Sequence, residues 1–130
     1  LRTYSPLFHA EALAIHVLIM EKGQSQLGKL RLYTTAERDI LSQSVIYWAN
    51  IVHDLKIEYV YLGSKLSTIQ TIWPFGIDIS AQEIINRSTR STQLIGPVYE
   101  NKTDQLFSQA KEYQDKLKKI ILLKVFCLKK

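Results

Sequence analysis

The stretch "LYTTAERDILSQSVIYWAN", residues 32–50, decides the fold. Its first part belongs to "KLRLYTT", residues 29–35, where Leu30 and Leu32 alternate with Arg31 and Tyr33. A period of two is the pattern of a strand with one buried face. Its second part, "DILSQSVIYWANIV", residues 39–52, reads as a largely buried helix. Asp39 is a natural N-cap for it, because a short carboxylate can accept from the unpaired N–H groups of the first turn. That turn holds Ser42 nearby.

Upstream, residues 10–20 place Leu13, Ala14, Val17, Leu18 and Ile19 on a helical face, and Gly23 after Lys22 can stop that helix. Downstream, "KIEYVYLG", residues 56–63, is rich in β-formers and predicts a second strand ending at Gly63. A loop follows, holding "WPFG", residues 73–76. Ser80 and Glu83 then form a capping-box signature for a short helix. "TQLIGPV", residues 92–98, offers a short third strand broken at Gly96-Pro97. Residues 103–119 put Leu106, Phe107, Ala110, Tyr113 and Leu117 on one face of a terminal helix. The order helix, strand, helix, strand, helix predicts an α/β layer structure, a narrow mixed or parallel sheet flanked by helices.

The chain has 130 residues, enough for one core, and 46% hydrophobic against 22% charged residues excludes a disordered chain. The expected division is a domain over residues 1–119 and a basic, apolar tail over 120–130. Cys127 is the one cysteine, so an intrachain disulfide and a cysteine-based zinc site are both excluded. A cytoplasmic setting fits. Much of the +5 net charge comes from residues 116–130, which hold six lysines and no acid. Such an end can touch nucleic acid or anionic lipid, but reads more simply as a solvated tail, so a nucleic-acid partner is not expected. "IILLKVFCL", residues 120–128, is too short and carries Lys124, so no membrane span is expected. Residues 1–8 contain Arg2 and Pro6 and no apolar signal region. The opening Leu1 suggests a fragment or a processed product.

A second stretch gives residues 32–50 a chemical meaning. "FHAEALAI", residues 8–15, followed by "LYTTAERDILSQSVIYWANI", residues 32–51, resembles the cytidine/deoxycytidylate deaminase superfamily, in its guanine and nucleoside deaminase branch. Such proteins read His-Ala-Glu, a helix, a strand ending Leu-Tyr-Thr-Thr, then Cys-Glu-Pro-Cys-Pro-Met-Cys, then a helix with Ile-Tyr-Trp-Ala. Here Leu32, Tyr33, Thr34 and Thr35 match the strand, Glu37 the family's Glu, and Ile46, Tyr47, Trp48 and Ala49 the helix. "FGIDISAQEIINRS" and "LIGPVYENKTDQLF" resemble the tail of some bacterial members, so the resemblance covers roughly residues 4–113. It implies a cytidine deaminase-like layered fold and an ancestral zinc site acting on a nucleobase or nucleoside. It also implies a helix and a β-hairpin ahead of His9, so the chain is expected to be N-terminally incomplete.

Zinc deamination needs a metal that turns water into hydroxide, three protein ligands with one open position, and a carboxylate that shuttles protons. The resemblance puts His9, Asp39 and Ser42 at the ligand positions and Glu11 at the proton-shuttle position. Both family thiolates are replaced, by Asp39 and Ser42, and Arg38 stands where the family has Pro. A neutral hydroxyl is a poor ligand, His9 with Asp39 is a harder and weaker set than histidine with two thiolates, and Arg38 opposes a cation. Zinc, the family's cofactor, is therefore expected to be absent or weakly bound. Each residue also has a plainer reading: Glu11 complements a helix N-terminus and Asp39 caps a helix. His16 is read as a partly buried helix histidine and His53 has no role. Tyr47 and Trp48 could stack on bases but read as core at helical spacing with Ile46. The sequons at Asn86 and Asn101 carry no weight without a secretory signal.

Three functions compete. One is a catalytically inactive, degenerate deaminase-like domain acting as a structural or interaction module, in a homo-oligomer or beside a partner subunit. The alternative is an active hydrolytic deaminase of guanine, cytosine or a nucleoside, using His9 and Glu11 with a non-standard metal site. The third is nucleic-acid binding through residues 116–130, which predicts salt-dependent binding lost on their removal.

Overall fold

The computed structural model describes residues 9–22, 28–37, 39–74, 76–89 and 92–127, with side chains as far as Lys118. The readings of Phe8, Gly23, Arg38 and Phe75 fall outside these residues. The elements run α1 (Ala10–Lys22), β1 (Leu30–Ala36), α2 (Ile40–Val52), β2 (Ile57–Ser64), α3 (Leu66–Ile72), α4 (Ala81–Asn86), β3 (Gln93–Ile95) and α5 (Glu100–Cys127). The three strands form one parallel sheet in the order β1-β2-β3. This is an α/β architecture with helices flanking a narrow parallel sheet.

One face of the sheet carries the core. Ile15 of α1, Ile46 and Ala49 of α2, and Ile57 and Val60 of β2 are buried together with Leu55, and Leu30, Leu32 and Leu94 pack against them. Leu30, Leu32 and Thr34 share this face because strand residues two apart point the same way. Arg31, Tyr33 and Thr35 point to the other face, where Tyr33 stacks on Tyr61 with ring centroids 4.7 Å apart. There α5 closes on β2 at Gly63. A Cβ on Gly63 would lie 2.5 Å from both the Thr103 methyl and the Thr35 carbonyl oxygen, so only glycine permits this approach. The Ser64 hydroxyl donates to Thr103 Oγ1 at 2.8 Å beside it.

The face of α2 that meets the core is partly polar: Ser42, Gln43 and Asn50 are buried with Ile46 and Ala49. Asn50 resolves its burial by acting as a piece of strand. Its Nδ2 donates to the Ile57 carbonyl at 3.0 Å, and its Oδ1 accepts from the Ile57 N–H at 2.8 Å. The start of β2 is thereby fixed to the end of α2.

Three expectations about helix faces need correction. Trp48 is 58% exposed, not core, because the buried stripe of α2 runs through residues 42, 46, 49 and 50. In α1 the buried residues are Ala12 and Ile15, while Ala14 and Val17 are exposed and so is His16. That helix is apolar nearly all round, so its periodicity does not single out one face. On α5 only Phe107 of the expected stripe turns inward, meeting Trp73 edge-on at 6.0 Å, and Leu106, Ala110, Tyr113 and Leu117 are exposed. The helix also begins at Glu100 and runs to Cys127, unbroken across the expected boundary at residue 119, since no Gly or Pro interrupts residues 98–130.

Helix α3 occupies what reads as loop in sequence. Its N-cap, Lys65, makes no side-chain cap. The cap comes instead from Glu37, whose Oε2 accepts from Leu66 N–H at 3.0 Å, while its Oε1 accepts from Ala81 N–H, the first residue of α4, at 3.1 Å. Ser80 caps α4 as its sequence predicts, accepting from Glu83 N–H at 3.2 Å. Among the described residues, no helix is long and apolar enough to cross a membrane.

Asn50→Ala should lower the unfolding free energy by about 2 kcal/mol, because it strands the buried N–H of Ile57 and leaves its carbonyl only the Thr92 hydroxyl, 3.4 Å away. Urea denaturation checks this as a fall in midpoint with an unchanged slope.

Candidate functional site

The candidate site lies where α1 and α2 begin. His9 immediately precedes α1, and its carbonyl accepts from Leu13 N–H at 2.9 Å, which opens the helix. Asp39 caps α2 from an extended backbone, its Oδ1 accepting from Ser42 N–H at 2.8 Å. These two helix starts bring the three expected ligand positions together. His9 Nδ1 lies 3.1 Å from Asp39 Oδ2 and 3.1 Å from Ser42 Oγ, across a sequence separation of 33 residues in the second case.

Glu11, the fourth expected residue, is held separately. It lies in the first turn of α1, and its Oε1 accepts from the Thr34 hydroxyl at 2.5 Å. Thr34 is a site residue that the sequence reading passed over. Its signal was available, because it sits two residues beyond Leu32 on the strand face that meets α1. Glu37 was likewise matched to a motif without a role, and its role here is to hold two helix N-termini.

No family model, curated protein or solved structure matches this chain. What the cluster can do is therefore argued from its own donors.

An ionised Asp39 carboxylate can only accept hydrogen bonds. A hydrogen bond between Asp39 Oδ2 and His9 Nδ1 therefore requires the N–H to be on that nitrogen, the one facing the cluster. A metal there would have to displace this proton. Asp39 Oδ1 is already engaged by the Ser42 N–H. Ser42 is only 2% exposed and offers a neutral hydroxyl. The separations of about 3 Å would suit a tetrahedral ion at ligand distances of roughly 2 Å, but the donors do not suit zinc. Among the described residues, no group of three His, Cys, Asp or Glu side chains gathers at one point. The residues present do not fit the family's metal centre.

The same geometry excludes a serine nucleophile. In a Ser-His-Asp triad the hydroxyl and the carboxylate contact opposite ring nitrogens. Here both face Nδ1, and Ser42 is buried away from any substrate. What the contacts form is a hydrogen-bonded staple between the beginnings of two packed helices.

A second concavity, of about 350 Å³, lies between α1 and α2, where Ile15, His16, Ile19, Val45, Trp48 and His53 line it. It shares none of the four expected site residues.

If the staple is mainly a helix cap, Asp39→Ala should cost about 1 kcal/mol, with Asp39→Ser close to neutral. His9→Ala should cost less than about 1 kcal/mol, since His9 and Asp39 are both about one-third exposed. Urea midpoints of the three variants test the ranking. A His9 effect larger than that of Asp39→Ala would reverse it.

Proposed function

We propose that this chain is a degenerate relative of the zinc-dependent nucleobase and nucleoside deaminases. In this reading the domain keeps the architecture around the ancestral site, lacks its chemistry, and works as a structural or interaction module, in a homo-oligomer or with a partner subunit. The observation that supports it is the meeting of positions that the resemblance draws from two distant stretches: Asp39 and Ser42 each lie 3.1 Å from His9 Nδ1. A chance match of short motifs gives no reason for such a meeting.

Hydrolytic deamination must make hydroxide near neutral pH and pass a proton to the leaving amine. Glu11 could perform the second task. Nothing in the cluster supplies the first: Ser42 is neutral, and Asp39 is committed to α2 and His9. The architecture is thus compatible with the deaminase lineage, and the donor set argues against turnover.

The test combines metal content with ammonia release. The purified chain should carry far less than one zinc per molecule and release no ammonia from guanine, cytosine, adenine or their nucleosides. Asp39→Cys with Ser42→Cys should raise zinc affinity sharply, because two thiolates then join His9 at tetrahedral spacing. Turnover by the unmodified chain that disappears with Glu11→Ala and on chelation would overturn the inactive reading. Failure of the double-cysteine variant to gain zinc would count against the ancestral-site reading.

A further inference from the structure

We propose that the outer face of the sheet binds single-stranded nucleic acid, with a base stacked on Tyr33 and neighbouring phosphates held by Arg31 and Lys102. This names a partner for the interaction module. It stands even if the deaminase resemblance fails, because neither zinc content nor ammonia release bears on it.

The face opposite the core meets α5 over β2, at Gly63. Beside that contact, along β1, Arg31, Tyr33 and Thr35 are all exposed. Tyr33 is 67% exposed although it stacks on Tyr61, its register partner, with ring planes 11° apart. β1 is an edge strand, so the other flat side of Tyr33 looks toward the open edge of the sheet. A further planar ring laid there extends the stack. Every nucleobase has a π-face, so such a platform takes bases with little regard to sequence.

Charge identifies the ligand as anionic. Arg31 lies on the same face as Tyr33, ~6.6 Å along the strand. Its guanidinium sits 5.9 Å from the centroid of the Tyr59 ring. On the α5 side, Lys102 Nζ sits 5.5 Å from the centroid of the Tyr99 ring. Among the described residues neither cation meets a carboxylate. The nearby acids Glu58 and Glu100 are already matched, by Lys29 at 3.2 Å and by Lys65 at 3.7 Å. Arg31 and Lys102 are therefore surplus positive charge beside aromatic rings, the combination that holds a phosphate backbone and its bases together.

Between Tyr33 and Tyr99 the face sinks into a concavity of about 300 Å³, which Thr35, Tyr61 and Thr103 also line and no acid does. Tyr99 stands there 74% exposed on left-handed backbone (φ 58), a conformation costly to any residue but glycine. Thr35 offers a hydroxyl to a sugar or a base edge. The open edge favours a polymer over a free nucleotide. A small ligand is held where a pocket buries most of it, whereas Arg31, Tyr33 and Lys102 are exposed and each adds a modest contact. One strand that runs past all three sums them.

Fluorescence anisotropy tests this with a labelled single strand of about eight nucleotides, within the span one small β domain covers. Titration with the full chain at low salt should show saturable binding that weakens as salt rises. Tyr33→Ala should weaken it at least about fivefold, the loss of one base–aromatic stack, and Tyr33→Phe should retain it. Arg31→Gln should weaken binding and lower the salt slope by about one phosphate contact. Trp48→Ala, whose ring is also exposed but lies in the groove between α1 and α2, should change nothing. Far-UV circular dichroism checks that each variant is folded, and either sheet variant suffices. Binding through the six lysines of residues 116–130 alone would show the salt dependence without any effect of Tyr33→Ala or Arg31→Gln, and would overturn the proposal. So would competition by a mononucleotide at the affinity of the labelled strand. No binding up to about 100 µM, the weak end of non-specific association, would overturn it too and leave the face to a protein partner.

Discussion

The Glu37 carboxylate is the junction on which the arrangement of elements depends. It stands just beyond β1 and accepts from the first N–H of α3 and the first N–H of α4. Its own N–H donates to the Ser64 carbonyl at 2.6 Å, tying it to the end of β2. A carboxylate is favourable at a helix N-terminus, where unpaired N–H groups and the helix dipole both present positive charge. Here one carboxylate serves two helices. α3 in turn packs on α5 and α4 on α2, so the layers on both sides of the sheet are set from this one residue. Seven-residue α3, lacking a cap of its own, would hardly persist without it, since a short helix does not recover its nucleation cost in water.

What was legible in the sequence was local. β1 showed itself through alternation, α2 through Asp39 and α4 through Ser80, and each signal lies within a few residues of the feature it predicts. α3 was not legible because its cap lies 29 residues earlier, and because "LSTIQTI" contains β-branched residues that do not favour a helix. Periodicity found α1, α2 and α5 but misjudged what each would cover. It reports that apolar residues share a face, and tertiary packing decides which face is used. The candidate site was legible for a different reason. The meeting of His9 and Asp39 is non-local, and only the alignment of two motifs brought those residues into one expectation.

The buried polar residues of α2 tie that helix to its neighbours. Ser42 faces His9 at the start of α1, and Asn50 holds the backbone of Ile57 at the start of β2. A structural zinc ion can contribute on the order of 10–16 kcal/mol of apparent folding free energy. A helix cap contributes about 1 kcal/mol, and a part-exposed ion pair no more than about 1 kcal/mol. The His9–Asp39–Ser42 staple therefore cannot supply what a metal cross-link would. The fold must rest on contacts elsewhere: the apolar core around Ile46 and Val60, the paired amide of Asn50, and Glu37. The stability of the fold is thus separated from these three donors, so on the proposed deaminase descent they could change while the surrounding layers persist.

The same separation bears on α5. At 28 residues it is about 42 Å long, and its contacts with its own domain begin at Glu100, 3.7 Å from Lys65 Nζ, and reach Gln114 through Trp73. Gly63 fixes where the helix starts and how closely it lies on β2, so the direction in which it continues is also fixed. Helices in water draw most of their stability from packing an apolar face rather than from propensity. Residues 116–127 are rich in good helix formers, but a row of lysines there raises the local charge and opposes compaction. An apolar face that finds something to pack against would offset both costs together.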